Sequence, residues 1–318
     1  FAVLKEDGSV SAWGEATSGG SGVPSDVTTP SAGAEVVFIA STEGAFAVLK
    51  ADGAVSAWGS SGYGGSGVPT DVTTPSVGAE VVSIASTVYA FAVLKTDGSV
   101  SAWGDANSGG SGVPTDVTTP SAGAEVISIA STTYAFAVLK ADGSVSAWGN
   151  DYSGGSGVPT DVTAPSAGAE VISIASTGRA FAVLKTDGSV SAWGYANYGG
   201  SNVPTDVTAP STDAKVVFIA SNLYAFAALK TDGSVSAWGD AGFGGSGVPS
   251  DVTAPSAGAE VVYIASTGRA FAALKADGSV SAWGDAGFGG SNVPSDVATP
   301  NAGADVISIG STAQAFAV

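Results

Sequence analysis

The sequence predicts an all-β fold, a seven-bladed β-propeller of four-stranded antiparallel blades. Seven copies of one 45-residue unit, starting at residues 1, 46, 91, 136, 181, 226 and 271, fill the chain up to residue 315. Each copy holds short β-branched, apolar segments, and no segment shows an apolar stripe of helical period. Each copy also carries one Trp and an Asp-Gly pair between apolar runs, which is a strong hairpin signal. A repeat of this length, with such hairpins, suits a propeller blade.

The second copy reads FAVLKADGAVSAWGSSGYGGSGVPTDVTTPSVGAEVVSIASTVYA. Its segment AEVVSIAS (79–86) is apolar on both faces and is expected as the innermost strand, squeezed between neighbouring blades. FAVLK (46–50) turns through Ala51-Asp52-Gly53 into AVSAW (54–58). SGVPTD leaves room for a short fourth strand, and Pro69, which lacks an amide donor, confines that strand to the outer edge. The chain begins inside a blade, so ring closure is expected from residues 305–311 pairing antiparallel with Phe1 to Lys5. Phe316-Ala317-Val318 repeats Phe1-Ala2-Val3, begins an eighth unit and suggests that the natural protein continues. The whole of 1–318 reads as one domain.

Composition excludes much chemistry. There is no Cys and no His, which removes disulfides, thiolate and imidazole metal sites, Cys nucleophiles and His-based triads. No metal and no cofactor is expected, and the chain does not read as an enzyme. The net charge of −18 is spread along the repeats and opposes a phosphate backbone, so nucleic acid is not an expected partner. No apolar run approaches the ~18 residues of a membrane-spanning helix. The absence of Met marks Phe1 as something other than a translation start, as in a mature or excised piece.

The pattern LK-x-DG-x-V-x-AWG, then a Gly-rich stretch, VP and V-x-x-IAS, resembles the repeat of the regulator of chromosome condensation family. The resemblance runs the length of the chain and implies a seven-bladed propeller. The short unit and the VP after the glycines are most similar in style to secreted bacterial β-lactamase inhibitor propellers of that superfamily. That likeness allows a role as an enzyme inhibitor; the compartment stays open, with an extracellular or cell-surface place favoured. The chain departs from chromatin-binding members in its acidity and in its lack of His.

Several repeated residues have a structural reading. Trp13, Trp58, Trp103, Trp148, Trp193, Trp238 and Trp283 lie within strands beside Gly, where a large ring fills the space between blades. The Asp-Gly pairs fit turns needing a positive φ rather than a calcium loop. The Asp after each Val-Pro-Ser/Thr, such as Asp71, is expected to cap a turn. GGSG lacks the Lys-Ser/Thr of a phosphate loop.

Function is sought where the copies differ. Two stretches vary: the turn between the inner strand and the next, and the loop after the Trp-bearing strand. In an up-and-down blade both fall at one end, opposite Asp52, Asp97, Asp142 and Asp187. They carry Tyr63, Tyr89, Tyr134, Tyr152, Arg179, Tyr195, Tyr198, Tyr224, Phe243, Arg269 and Phe288. These side chains are expected to be exposed and to form a non-catalytic protein-binding face, with aromatics as contact area and Arg as hydrogen-bond donors. A glycan is the second partner class, although equivalent lectin sites should carry equivalent residues. A structural element of a longer surface array is the third reading, so the chain is a monomer or part of a longer repeat.

Overall fold

Alternation along the FAVLK-type segment explains the centre of each repeat. The computed structural model describes residues 1–318. The chain divides into two compact units, Phe1–Val158 and Pro159–Val318. Each unit contains three three-stranded antiparallel sheets and one two-stranded sheet. One sheet stands for the others: Val81–Ser86, Ala90–Lys95 and Val100–Gly104, with Ala90–Lys95 in the middle. The register pairs Ser86 with Phe91, Ala90 with Gly104 and Leu94 with Val100. A bulge between Val81 and Ser83 re-aims the start of the first strand.

The core lies between consecutive sheets. Phe91 and Val93 pack with Ala47, Leu49 and Val55 of the preceding repeat. On the opposite face Ala90, Ala92 and Leu94 meet Phe136, Val138 and Trp148 of the following one. Small residues on one face thus receive large rings from the next sheet, and Phe91, Val93, Ala90 and Ala92 are wholly buried. Burial on that scale contributes about 1.5–3 kcal/mol per large side chain.

This packing corrects two expectations. The doubly buried strand is the middle one, not Val81–Ser86, which is a sheet edge with Val82 51% exposed. An edge strand has a hydrogen-bonded neighbour on one side only, so sheets stacked on the middle strand need not cover it. The fourth strand is also absent. In its place a 3-10 turn, Ser61–Tyr63, leads to one helical turn, Thr70–Thr73, with Pro69 at its N-cap. Pro69 cannot donate to a ladder, and the helical turn instead drives Val72 into the core with no exposed surface.

The expected ring closure is likewise corrected. Gly310–Ser311 pairs with Phe316–Ala317, joined by a tight turn in which Thr312 N–H donates to the Ala315 carbonyl at 2.8 Å. Ala2–Leu4 pairs only with Val10–Ala12. Closing a four-residue turn costs far less chain entropy than closing a loop of the whole chain.

The Asp residues after Val-Pro, expected to cap turns, instead join one repeat to the next, and the helical turn that holds Asp71 has no side-chain cap bond. Asp71 accepts from Lys95 Nζ at 2.7 Å and from Ser101 Oγ at 2.6 Å, both in the next repeat. The same clamp recurs at Asp26–Lys50, Asp116–Lys140, Asp161–Lys185, Asp206–Lys230 and Asp251–Lys275. Partial burial would raise the Asp71 carboxyl, but the Lys95 ammonium and the Ser101 hydroxyl outweigh it and hold it below the ordinary value.

Candidate functional site

The register decides which segments share an end. Ala90 pairs with Gly104, so the turn entering the middle strand and the loop leaving the third strand lie together. The Asp97-Gly98 hairpin, beyond the Leu94–Val100 pair, lies at the other end. Gly98 has φ 76°, and Asp97 accepts from Ser99 N–H at 2.9 Å, so this is a structural turn.

Two sets of bonds hold the variable end in shape. Thr87 Oγ1 donates to the Ser108 carbonyl at 3.0 Å and accepts from Ala90 N–H at 3.0 Å, tying turn to loop at the end of one sheet. Thr42, Thr132, Thr177 and Thr267 make the same link, and Asn222 makes it through its amide. Between repeats, Glu43 N–H donates to the Val88 carbonyl and Val88 N–H to that of Thr133, both at 3.0 Å. In the second unit Gly178, Leu223 and Gly268 N–H groups donate to the carbonyls of Leu223, Gly268 and Ala313. These Thr and Asn residues were not among the sequence candidates. Their signal was the constant Thr or Asn ahead of each variable pair.

The loop is equally constrained. Gly64, at φ 88°, ends the 3-10 turn, and its carbonyl accepts from Trp103 Nε1 at 2.8 Å. A Cβ there would lie 2.7 Å from the Phe91 ring. Trp103 stacks on Phe91 at 5.2 Å, so the loop sits on a packed aromatic pair.

On this frame the variable side chains meet. In the first unit Tyr63 and Tyr89 are 4.8 Å apart, and Tyr89 stacks on Tyr134 at 5.8 Å and 11°. In the second unit Tyr195, Tyr198, Tyr224 and Phe243 form a chain of contacts at 5.6, 4.9 and 4.5 Å. Arg179 Cζ lies 5.7 Å from the Tyr198 ring and 6.0 Å from that of Tyr195. Arg269 Cζ lies 4.7 Å from Phe288, 5.0 Å from Phe243 and 5.6 Å from Tyr224.

These contacts reduce the exposure expected of the candidates. Tyr152 is 74% exposed and makes no ring contact, and Tyr195 is 37% exposed. The other nine candidates are half-buried, because they cover one another. Burial pushes the Tyr198 hydroxyl pKa up, with Tyr224 adding to the shift. No helix of the structure is long and apolar enough to cross a membrane.

No protein-family model matches the chain, and no curated protein matches it either. Solved structures with related shape include the ectodomain of the receptor kinase CR4 from Physcomitrella patens, 16% identical, covering 93% of this chain and 73% of that one, TM-score 0.46. Prp20p from Saccharomyces cerevisiae is 18% identical over 79% of this chain and 72% of its own, TM-score 0.46. Human WBSCR16 is 25% identical over 75% and 72%, TM-score 0.43. At these TM-scores the likeness carries no argument about partners or activity.

Proposed function

We propose that this chain is a propeller-type repeat protein, of the chromosome condensation regulator kind, that acts as a non-catalytic protein-binding module. The observation that carries the reading is the row of side chains in mutual contact at the turn-and-loop end of each unit, Tyr alone in the first and Tyr, Phe and Arg in the second. Stacked rings have already lost rotamer freedom, so they offer contact area at low entropic cost. Tyr and Arg are the residue types enriched among binding hot spots. An enzyme, inhibited when this rim covers its active site, is the partner class that the repeat's resemblance favours.

The test uses the full chain as bait in affinity capture, followed by direct titration of the captured protein. Tyr89→Ala or Tyr224→Ala should weaken binding by about tenfold, while Asp52→Asn and Asp97→Asn, at the other end, should leave it unchanged. Binding that survives both Tyr changes with the fold intact would reject the reading.

A further inference from the structure

We propose that the groove beside Tyr89 in the first unit receives a guanidinium, the side chain of an arginine in a basic segment of the protein partner. This rests on the protein-binding reading above and gives it a chemistry. The repeats align position by position, and three rim positions matter. The turn position holds Tyr89 in one repeat and Arg269 four repeats later; the loop position holds Ser108 and Phe288; the position after the Trp-Gly holds Asp105 and Asp285.

In the second unit this lattice already holds a guanidinium. Arg269 lies against the rings of Phe243, Phe288 and Tyr224, and its Nη1 is 3.8 Å from Asp285 Oδ2. In the first unit the loop position carries Ser108 instead of an aromatic. The ring volume is missing, and an open groove of about 440 Å³ takes its place. Tyr63, Tyr89 and Tyr134 form its apolar walls, with Asp105, Asn107 and Ser108 among its polar lining. Ser108 Oγ donates to Asp105 Oδ1 at 2.9 Å, which fixes the carboxylate through one oxygen and leaves the other to accept.

Charge selects the occupant. No Lys or Arg lines the groove, and the chain carries −18 overall. The Glu43 and Asp105 carboxylates make the local potential negative, and both add to the rise of the Tyr89 hydroxyl, which is pushed up first by burial. A cation over tyrosine faces beside a carboxylate is favoured on both counts. Between cations, a planar guanidinium can lie flat on a ring while its edge donates to the carboxylate, a stacked and forked geometry that an ammonium lacks.

The test titrates acetyl-Gly-Arg-Gly-amide into the full chain and follows tyrosine ring resonances by NMR. The same peptide with citrulline, equal in shape but uncharged, is the control. The arginine peptide should shift the Tyr63 and Tyr89 signals, and the citrulline peptide should bind roughly fivefold or more weakly. Asp105→Asn should weaken the arginine peptide by a similar factor. Ser108→Phe, which restores the ring found at Phe243 and Phe288, should abolish binding. Should that variant misfold, Asp105→Asn with an unchanged melting temperature still decides the matter. Equal binding of the two peptides, no effect of Asp105→Asn, or a response of these tyrosines to neutral oligosaccharides alone would overturn the proposal. The parent reading is judged separately: partner capture lost in Tyr89→Ala, with no arginine response, leaves protein binding standing and rejects only the guanidinium.

Discussion

A buried ammonium facing a half-exposed carboxylate is an unequal pair. The Lys95 side chain is 9% exposed and that of Asp71 is 51% exposed. Removing the acid strands a desolvated charge, whereas removing the base leaves a carboxylate that water can reach. Asp71→Ala should therefore cost about 2–3 kcal/mol, and Lys95→Met less than about 1 kcal/mol. Urea melts of the two variants check this, and equal losses or the reverse order would count against the clamp. Tryptophan offers a second residue-level test. Trp58, Trp103, Trp148, Trp238 and Trp283 donate to a Gly carbonyl 39 residues earlier and are 2–3% exposed. Trp13 is 50% exposed. Acrylamide should quench one minor emission component, and Trp13→Phe should remove it. A single unquenchable population would contradict the structure.

At the scale of the element, two neighbouring strands look alike in sequence and differ in burial. Val82 lies on an edge strand and is 51% exposed, whereas Val93 lies on the middle strand with no exposed surface. Val93→Ala should cost about 1–3 kcal/mol, and Val82→Ala no more than about 0.5 kcal/mol. Comparable losses at both sites would restore the sequence expectation that the VVSIAS segment is the inner, doubly covered strand. The hairpin through Asp97-Gly98 was legible because its signal is local: a turn residue needing positive φ, flanked by apolar alternation. The fate of the Pro69 segment was not. Proline announces only what the backbone cannot donate, and whether the chain then runs extended or winds into a turn depends on where Val72 finds its core.

For the whole molecule the six Lys–Asp clamps share one pH window. In each, the carboxyl is held below its ordinary value in the folded state, burial being outweighed by the ammonium and the Ser hydroxyl. A depressed folded-state pKa adds stability that is fully present above the unfolded value, near pH 4, and is lost as pH falls through the folded one. Stability at about 0.15 M salt, where repulsion among exposed charges is screened, should thus be flat from pH 7 to 5 and drop steeply below about 4. Urea melts across pH 3–7 provide the check. Stability that rises on acidification would show that relief of the −18 net charge outweighs the clamps.

Repeat length, all-β class, the Asp-Gly hairpins and the positions that vary between copies are all written in the sequence, because each is set by residues close along the chain. The structure alone decided the rest. It placed the AFAVLK-type strand in the middle, turned the Pro-bearing segment into a helical turn, joined Lys95 to an Asp 24 residues earlier and gathered Tyr63, Tyr89 and Tyr134 into one row. It also paired Gly310–Ser311 with Phe316–Ala317 in place of the first strand. The reason is common to all of these. An apolar strand can pair with any free edge, and an ammonium with any carboxylate. Which partner wins depends on how one sheet stacks against the next and on the chain entropy of bringing the two together, and neither quantity can be read from a single repeat.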